Sequence, residues 1–145
     1  HTETTKPLSF LSTDYAISKP LNILVAEDNP INQKMILKVL EKLGYKAALA
    51  ITGREVIHML DNQYYDLILM DVQMPEMDGL EATRYIREHH KKQPVIIAMT
   101  ANAMLEDHEI CLKAGMDNYI SKPLKIETLI TMLRETEFKE AVVVK

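Results

Sequence analysis

The chain contains one cysteine, Cys111, in 145 residues. A single thiol cannot close an internal disulfide, so a disulfide scaffold is excluded and a reducing compartment fits. Cys111 falls in a helical apolar pattern and is expected to be a small buried residue. Long hydrophobic runs are also missing. No apolar stretch approaches the roughly 20 residues of a membrane-spanning helix, and no signal peptide is visible. Positive charge is not in excess: 17 Lys and Arg stand against 21 Asp and Glu, a formal charge of -4. A nucleic-acid surface would need a basic face, so that class is disfavoured. Internal repeats and low-complexity segments are absent. What remains is ordinary for a soluble globular domain, with 47% hydrophobic and 26% charged residues. The length suits one domain. The chain opens on His1 rather than methionine, which suggests a fragment of a longer protein or a processed chain.

Residues 1–20 differ from the rest. Thr2, Thr4, Thr5, Ser9, Ser12, Thr13 and Ser18 dominate, with Lys6-Pro7 and Lys19-Pro20, and no period holds; this stretch is expected to be a linker or tail. From Leu21, short apolar runs alternate with amphipathic helices. Asn29-Pro30 opens the first helix as cap and first helical residue. Ile31, Met35, Val39, Leu40 and Leu43 are its expected apolar stripe, and Gly44 its left-handed stop. Tyr45 to Ile51 is expected as a strand, and Arg54 to Asn62 as a helix burying Val56, Ile57 and Leu60. Strands are further expected at Leu21 to Ala26, Asp66 to Met70, Pro94 to Met99 and Asn118 to Ile120. Helices carry Leu80, Thr83, Ile86 and Arg87, then Met104 to Ala114 up to Gly115, then Ile126, Leu129, Ile130 and Leu133 from about Lys125. Residues 21–136 form the domain, and 137–145 extend the last helix or form a tail. Five strands alternating with five helices imply right-handed crossovers and a parallel sheet covered on both faces. The expected fold is α/β, a flavodoxin-like (βα)5 doubly wound sandwich with strand order 2-1-3-4-5.

Four apolar runs end on polar residues: Glu27-Asp28, Asp71, Thr100 and Lys122. The carboxyl ends of parallel strands share one edge, where ligands bind. Three converging carboxylates repel and raise one another's pKa, and a hard divalent cation resolves the conflict. Mg2+ fits, with Mn2+ as a substitute. Asp28 and Asp71 would bind it directly, Glu27 through water, and a backbone carbonyl of the following loop, Gln73, would add a ligand. Asp71 is the candidate nucleophile for a phosphoryl group. Lys122 and Thr100, helped by the backbone N–H of Ala101, would hold the remaining phosphoryl oxygens. Lys122-Pro123 directly after a strand is expected to be cis. A metal-dependent phosphatase with an aspartyl nucleophile places a second Asp two residues on; here that position is Pro30, so this reading fails.

These residues resemble the receiver domain of two-component response regulators. The likeness rests on Ile23-Leu24-Val25-Ala26-Glu27-Asp28-Asn29, Leu69-Met70-Asp71-Val72-Gln73-Met74-Pro75, Met77-Asp78-Gly79, Met99-Thr100-Ala101 and Tyr119-Ile120-Ser121-Lys122-Pro123. It covers about residues 20–136. The resemblance implies that Asp71 is the phosphoacceptor, that Glu27 and Asp28 form the acidic metal pocket, and that Thr100 and Lys122 contact the phosphoryl group. It implies a switch in which Thr100 moves toward the phosphoryl group and the Tyr119 ring turns inward, altering the surface of helix four, strand five and helix five. Gln73 and Asn102 occupy positions that in the family tune how quickly water removes the phosphoryl group. Glu27 stands where many members have Asp.

Glu27-Asp28-Asn29-Pro30-Ile31-Asn32 and Met99-Thr100-Ala101-Asn102-Ala103-Met104 look most like receivers attached to hybrid histidine kinases. The implied role is a phosphorelay acceptor that takes its group from a phosphohistidine on a kinase or phosphotransfer domain, with Ile31 and Met35 as candidate docking contacts. The resemblance implies self-phosphorylation and self-dephosphorylation by this fragment without further turnover, within a parent expected to be a hybrid sensor histidine kinase. The implied location is cytoplasmic, at the cytoplasmic face of the membrane for a membrane-bound parent kinase. A stand-alone regulator, or a degenerate receiver acting only as an interaction module, are the alternatives.

Overall fold

The computed structural model describes residues 20–101 and 105–136, with side-chain surroundings given for 20–101 and 108–136. The expected leader before Pro20, the C-terminal extension and Asn102 lie outside the described residues. The elements run β1 (Ile23–Ala26), α1 (Pro30–Lys42), β2 (Ala48–Ala50), α2 (Gly53–Asn62), β3 (Leu67–Asp71), α3 (Gly79–His89), β4 (Val95–Thr100), α4 (Leu105–Ala114), β5 (Asn118–Ser121) and α5 (Ile126–Glu135). All five strands are parallel, in the order β2-β1-β3-β4-β5. This is the expected flavodoxin-like sandwich. No helix among the described residues is long and apolar enough to cross a membrane.

The strand alternation sorts the core into two layers. Ile23, Val25, Leu67, Leu69, Ile97 and Met99 pack with α1 and α5 through Ile36, Leu40, Leu129 and Leu133. Their sequence neighbours Leu24, Ala26, Ile68, Met70, Ile96 and Ala98 pack with α2, α3 and α4 through Val56, Leu60, Ala82, Ile86 and Cys111. Both faces of the central strands are covered, which is why these runs read as continuously apolar. Cys111 is buried, as expected.

Local signals set most boundaries. Asn29 caps α1 by accepting from the backbone N–H groups of Ile31 and Asn32, and Pro30 is the first helical residue. Gly44 follows the helix at φ 94°, a conformation that a side chain disfavours. Asp78 and Glu81 form a reciprocal capping box at the start of α3.

Four expectations need correction. The buried stripe of α1 is Ile36, Leu40 and Leu43, with Leu37 and Val39 half-buried, whereas Ile31 is 70% and Met35 42% exposed. Ile31 lies five residues before Ile36, about 140° away around the helix, so the two cannot share a face. The second strand is shorter than Tyr45 to Ile51. The Tyr45 N–H donates to the Leu40 carbonyl, and the Ile51 N–H to the Glu55 carboxylate. Both ends are thus taken up by neighbouring helix termini. Helix α2 starts one residue early, at Gly53, because the Thr52 hydroxyl caps it by accepting from the Glu55 N–H. The third, fourth and fifth strands each run one residue further than expected, so that Asp71, Thr100 and Ser121 are still strand.

At the opposite end of the sheet from Asp71, Arg87 of α3 joins three segments. Its guanidinium donates to the carbonyls of Gly115 and Pro94, to the Gln93 side chain, and to Asp117 at 2.9 Å. Asp117 also accepts from the Ile96 N–H, which closes the brace onto β4.

Candidate functional site

Parallel register carries the expected polar residues to one edge. Asp71 pairs with Met99 and Thr100 with Ser121, one residue before Lys122. The Lys122 N–H in turn donates to the Thr100 carbonyl at 2.8 Å. The Lys122-Pro123 bond is cis, as expected. Asp71, Met99, Thr100 and Lys122 line a cleft of about 690 Å3, with Glu27, Asp28, Gln73 and Ala101 also in its walls.

Oxygen atoms of Glu27, Asp28 and Asp71 all lie within 4.8 Å of one another. Glu27 and Asp71 are buried, and Asp28 is exposed. The Lys122 ammonium bridges the buried pair, 3.1 Å from Glu27 Oε1 and 3.0 Å from Asp71 Oδ2. Burial pushes the Asp71 carboxyl up to about 6; the Lys122 hydrogen bond opposes this, and the Glu27 charge adds to it. Burial would lower Lys122, but its hydrogen bonds and attraction to Asp71 and Glu27 outweigh that and raise it. Among the described residues, the Lys122 ammonium thus pairs with two of the three clustered carboxylates. The donor set is all hard oxygen and carries surplus negative charge, which suits a magnesium-sized ion. Thr100 is buried at the strand end beside this group.

Several residues that fix this geometry are not evident from motif chemistry alone. Glu27 Oε2 accepts from the Asn29 N–H at 3.1 Å and from the Asn32 side-chain amide at 3.4 Å. The Gln33 side chain donates to the Glu27 carbonyl at 2.7 Å. The first turn of α1 therefore orients the acid, a role that its reading as a helix start does not reveal. The Gln73 N–H donates to Asp71 Oδ1 at 3.2 Å. Gly79 lies so close that a methyl group there would run into the Asp71 carbonyl oxygen and the Met70 side chain. Its own N–H donates to the Val72 carbonyl, which pins the loop after Asp71. The Met77-Asp78-Gly79 pattern hinted at this, but only packing shows why a side chain is excluded. Tyr119 lies outside the cleft wall, half-buried on β5, with its ring stacked on His108 of α4 at a centroid distance of 3.5 Å and 19° between planes.

The response regulator receiver domain model matches residues 23–134. The chain belongs to the response regulator receiver family. This receiver is 45% identical over 117 residues to hybrid signal transduction histidine kinase K of Dictyostelium discoideum, covering 75% of this chain and 10% of the kinase. The chain thus spans about a tenth of the length of that curated relative. Among solved structures, it resembles the receiver domain of a sensor histidine kinase from Pseudomonas aeruginosa that has a magnesium ion coordinated in its active-site cleft. There the identity is 43% and the TM-score 0.73, covering 79% of this chain and 94% of that one. It also resembles the co-crystal structure of the Saccharomyces cerevisiae phosphotransfer protein Ypd1 with the receiver of the response regulator Ssk1. That match has 31% identity and a TM-score of 0.74, covering 79% of this chain and 87% of that one.

Proposed function

We propose that this receiver accepts a phosphoryl group on Asp71 from a phosphohistidine donor. The observation that carries the reading is the single cluster in which Asp71, two further acids and the Lys122 ammonium meet, with oxygen atoms of the acids within 4.8 Å. Glu27, Asp28, Asp71 and the Gln73 carbonyl would hold Mg2+, which when bound neutralises charge on the phosphoryl oxygens. Asp71 attacks phosphorus. The P–N bond to the donor imidazole breaks as the P–O bond forms, and the imidazole keeps the electron pair. Lys122 supports one phosphoryl oxygen, and the Thr100 hydroxyl and Ala101 N–H another. Water later hydrolyses the acyl phosphate, with Gln73 and Asn102 tuning its access. Self-phosphorylation and self-dephosphorylation are the full extent of the catalysis. The working unit is residues 21–136.

The donor is a kinase or phosphotransfer domain, and the exposed Ile31 and Met35 beside the cleft are its docking contacts. Relatives named as hybrid kinases support a parent of that class. Thr100 and Tyr119 form the switch, read out on α4, β5 and α5. The test is incubation with acetyl phosphate and Mg2+ followed by intact-mass measurement. A gain of one phosphoryl group that disappears in Asp71→Asn is expected. No gain would leave an interaction module as the better reading.

A further inference from the structure

The stacked pair beneath α4 adds a component to that switch. Ala98 pairs with Tyr119 across the β4–β5 ladder, and Thr100 pairs with Ser121. Side chains two apart on a strand share a face, so Ala98 and Thr100 lie on the same side as Tyr119. That side is the one covered by α4. Ala98 is fully buried and small, and it lies on that face across from Tyr119 and two residues before Thr100. A turn of the ring toward the side of Thr100 would unstack it from the His108 imidazole. His108 Nε2 is buried without a hydrogen-bond partner among the described residues. The imidazole thus holds the ring by face-to-face contact and not through that nitrogen.

We propose that His108 is a positioning residue: it clamps Tyr119 beneath α4 and thereby limits how readily Asp71 takes a phosphoryl group. The inference rests on the phosphoacceptor reading and names a regulator of that site. If uptake favours the state with Tyr119 turned inward, its rate scales with the population of that state. An aromatic stack of this kind biases such a population roughly two- to tenfold. Because Nε2 has no hydrogen-bond partner among the described residues, a phenyl ring should clamp as well as the imidazole.

The test compares the full chain with His108→Ala, His108→Phe, Tyr119→Ala and the His108→Ala/Tyr119→Ala double variant. Two readouts are taken: the rate of labelling by acetyl phosphate with Mg2+, and the Tyr119 ring resonances in donor-free protein, assigned by their loss in Tyr119→Phe. His108→Ala should label roughly two- to tenfold faster than the parent and shift the Tyr119 resonances. His108→Phe should label no faster than the parent. In the Tyr119→Ala background, removing His108 should change nothing. The proposal is overturned if His108→Ala labels at the parental rate or slower, or if it accelerates labelling equally without Tyr119. Failure of every variant to be labelled would strike the phosphoacceptor reading instead. The donor-free Tyr119 resonances would then decide the clamp, with an unchanged spectrum in His108→Ala refuting it.

Discussion

Asp71 concentrates the electrostatic tension of the molecule. Its carboxyl is raised from 3.8 to about 6 by burial first, with Lys122 opposing and Glu27 reinforcing. Between those values the folded chain binds more protons at Asp71 than the unfolded chain does. The contribution of this residue to stability is therefore full below about 4 and declines as pH rises to about 6. Metal binding requires the ionised form, so Mg2+ affinity should climb roughly tenfold per pH unit below 6 and flatten above it. Titration of Mg2+ at several pH values checks this. Asp71→Asn should flatten the metal-free stability curve over the same window. The meeting of Asp71, Asp28, Thr100 and Lys122 at one cleft was legible from the sequence because each ends an apolar run. The orientation of Glu27 was not, since Asn29, Asn32 and Gln33 have equally good reasons to be in the first turn of a helix.

At the level of elements, Gly79 joins α3 to the site. It starts the helix and its Cα faces the Asp71 carbonyl, with no room for a methyl group. Gly79→Ala should destabilise the fold by about 1–3 kcal/mol, as overpacking does. It should also slow phosphoryl uptake more than a distant substitution of equal destabilisation, because the strand end itself must shift. Denaturant unfolding and acetyl phosphate labelling measured together separate the two effects. Element order and type were readable because strand and helix periods differ. Boundaries were less so. Tyr45 and Ile51 look like strand residues, yet their N–H groups serve the adjoining helices. Ile31 and Met35 joined the apparent stripe of α1 because hydrophobicity alone does not distinguish a core side chain from one kept at the surface.

For the whole molecule, the cleft trades stability for readiness. Glu27 and Asp71 share the Lys122 ammonium, with Asp28 beside them, and a bound divalent cation would relieve the remaining repulsion. Mg2+ at one hundred times its Kd should stabilise the chain by about 2.7 kcal/mol. The melting temperature should rise by several degrees, and the rise should shrink in Glu27→Gln and largely vanish in Asp71→Asn. Calorimetry with and without Mg2+ checks this. A melting temperature indifferent to the ion would mean that the acids do not act as one site.

Arg87 constrains how any signal leaves that cleft. Its clasp on Gly115 and Asp117 secures the carboxyl end of α4 to α3 and β4. The amino end, nearer Thr100, has no such anchor in Arg87. A rearrangement started at the cleft would swing this helix like a door on its hinge post, with displacement greatest at its first turn and fading toward Ala114.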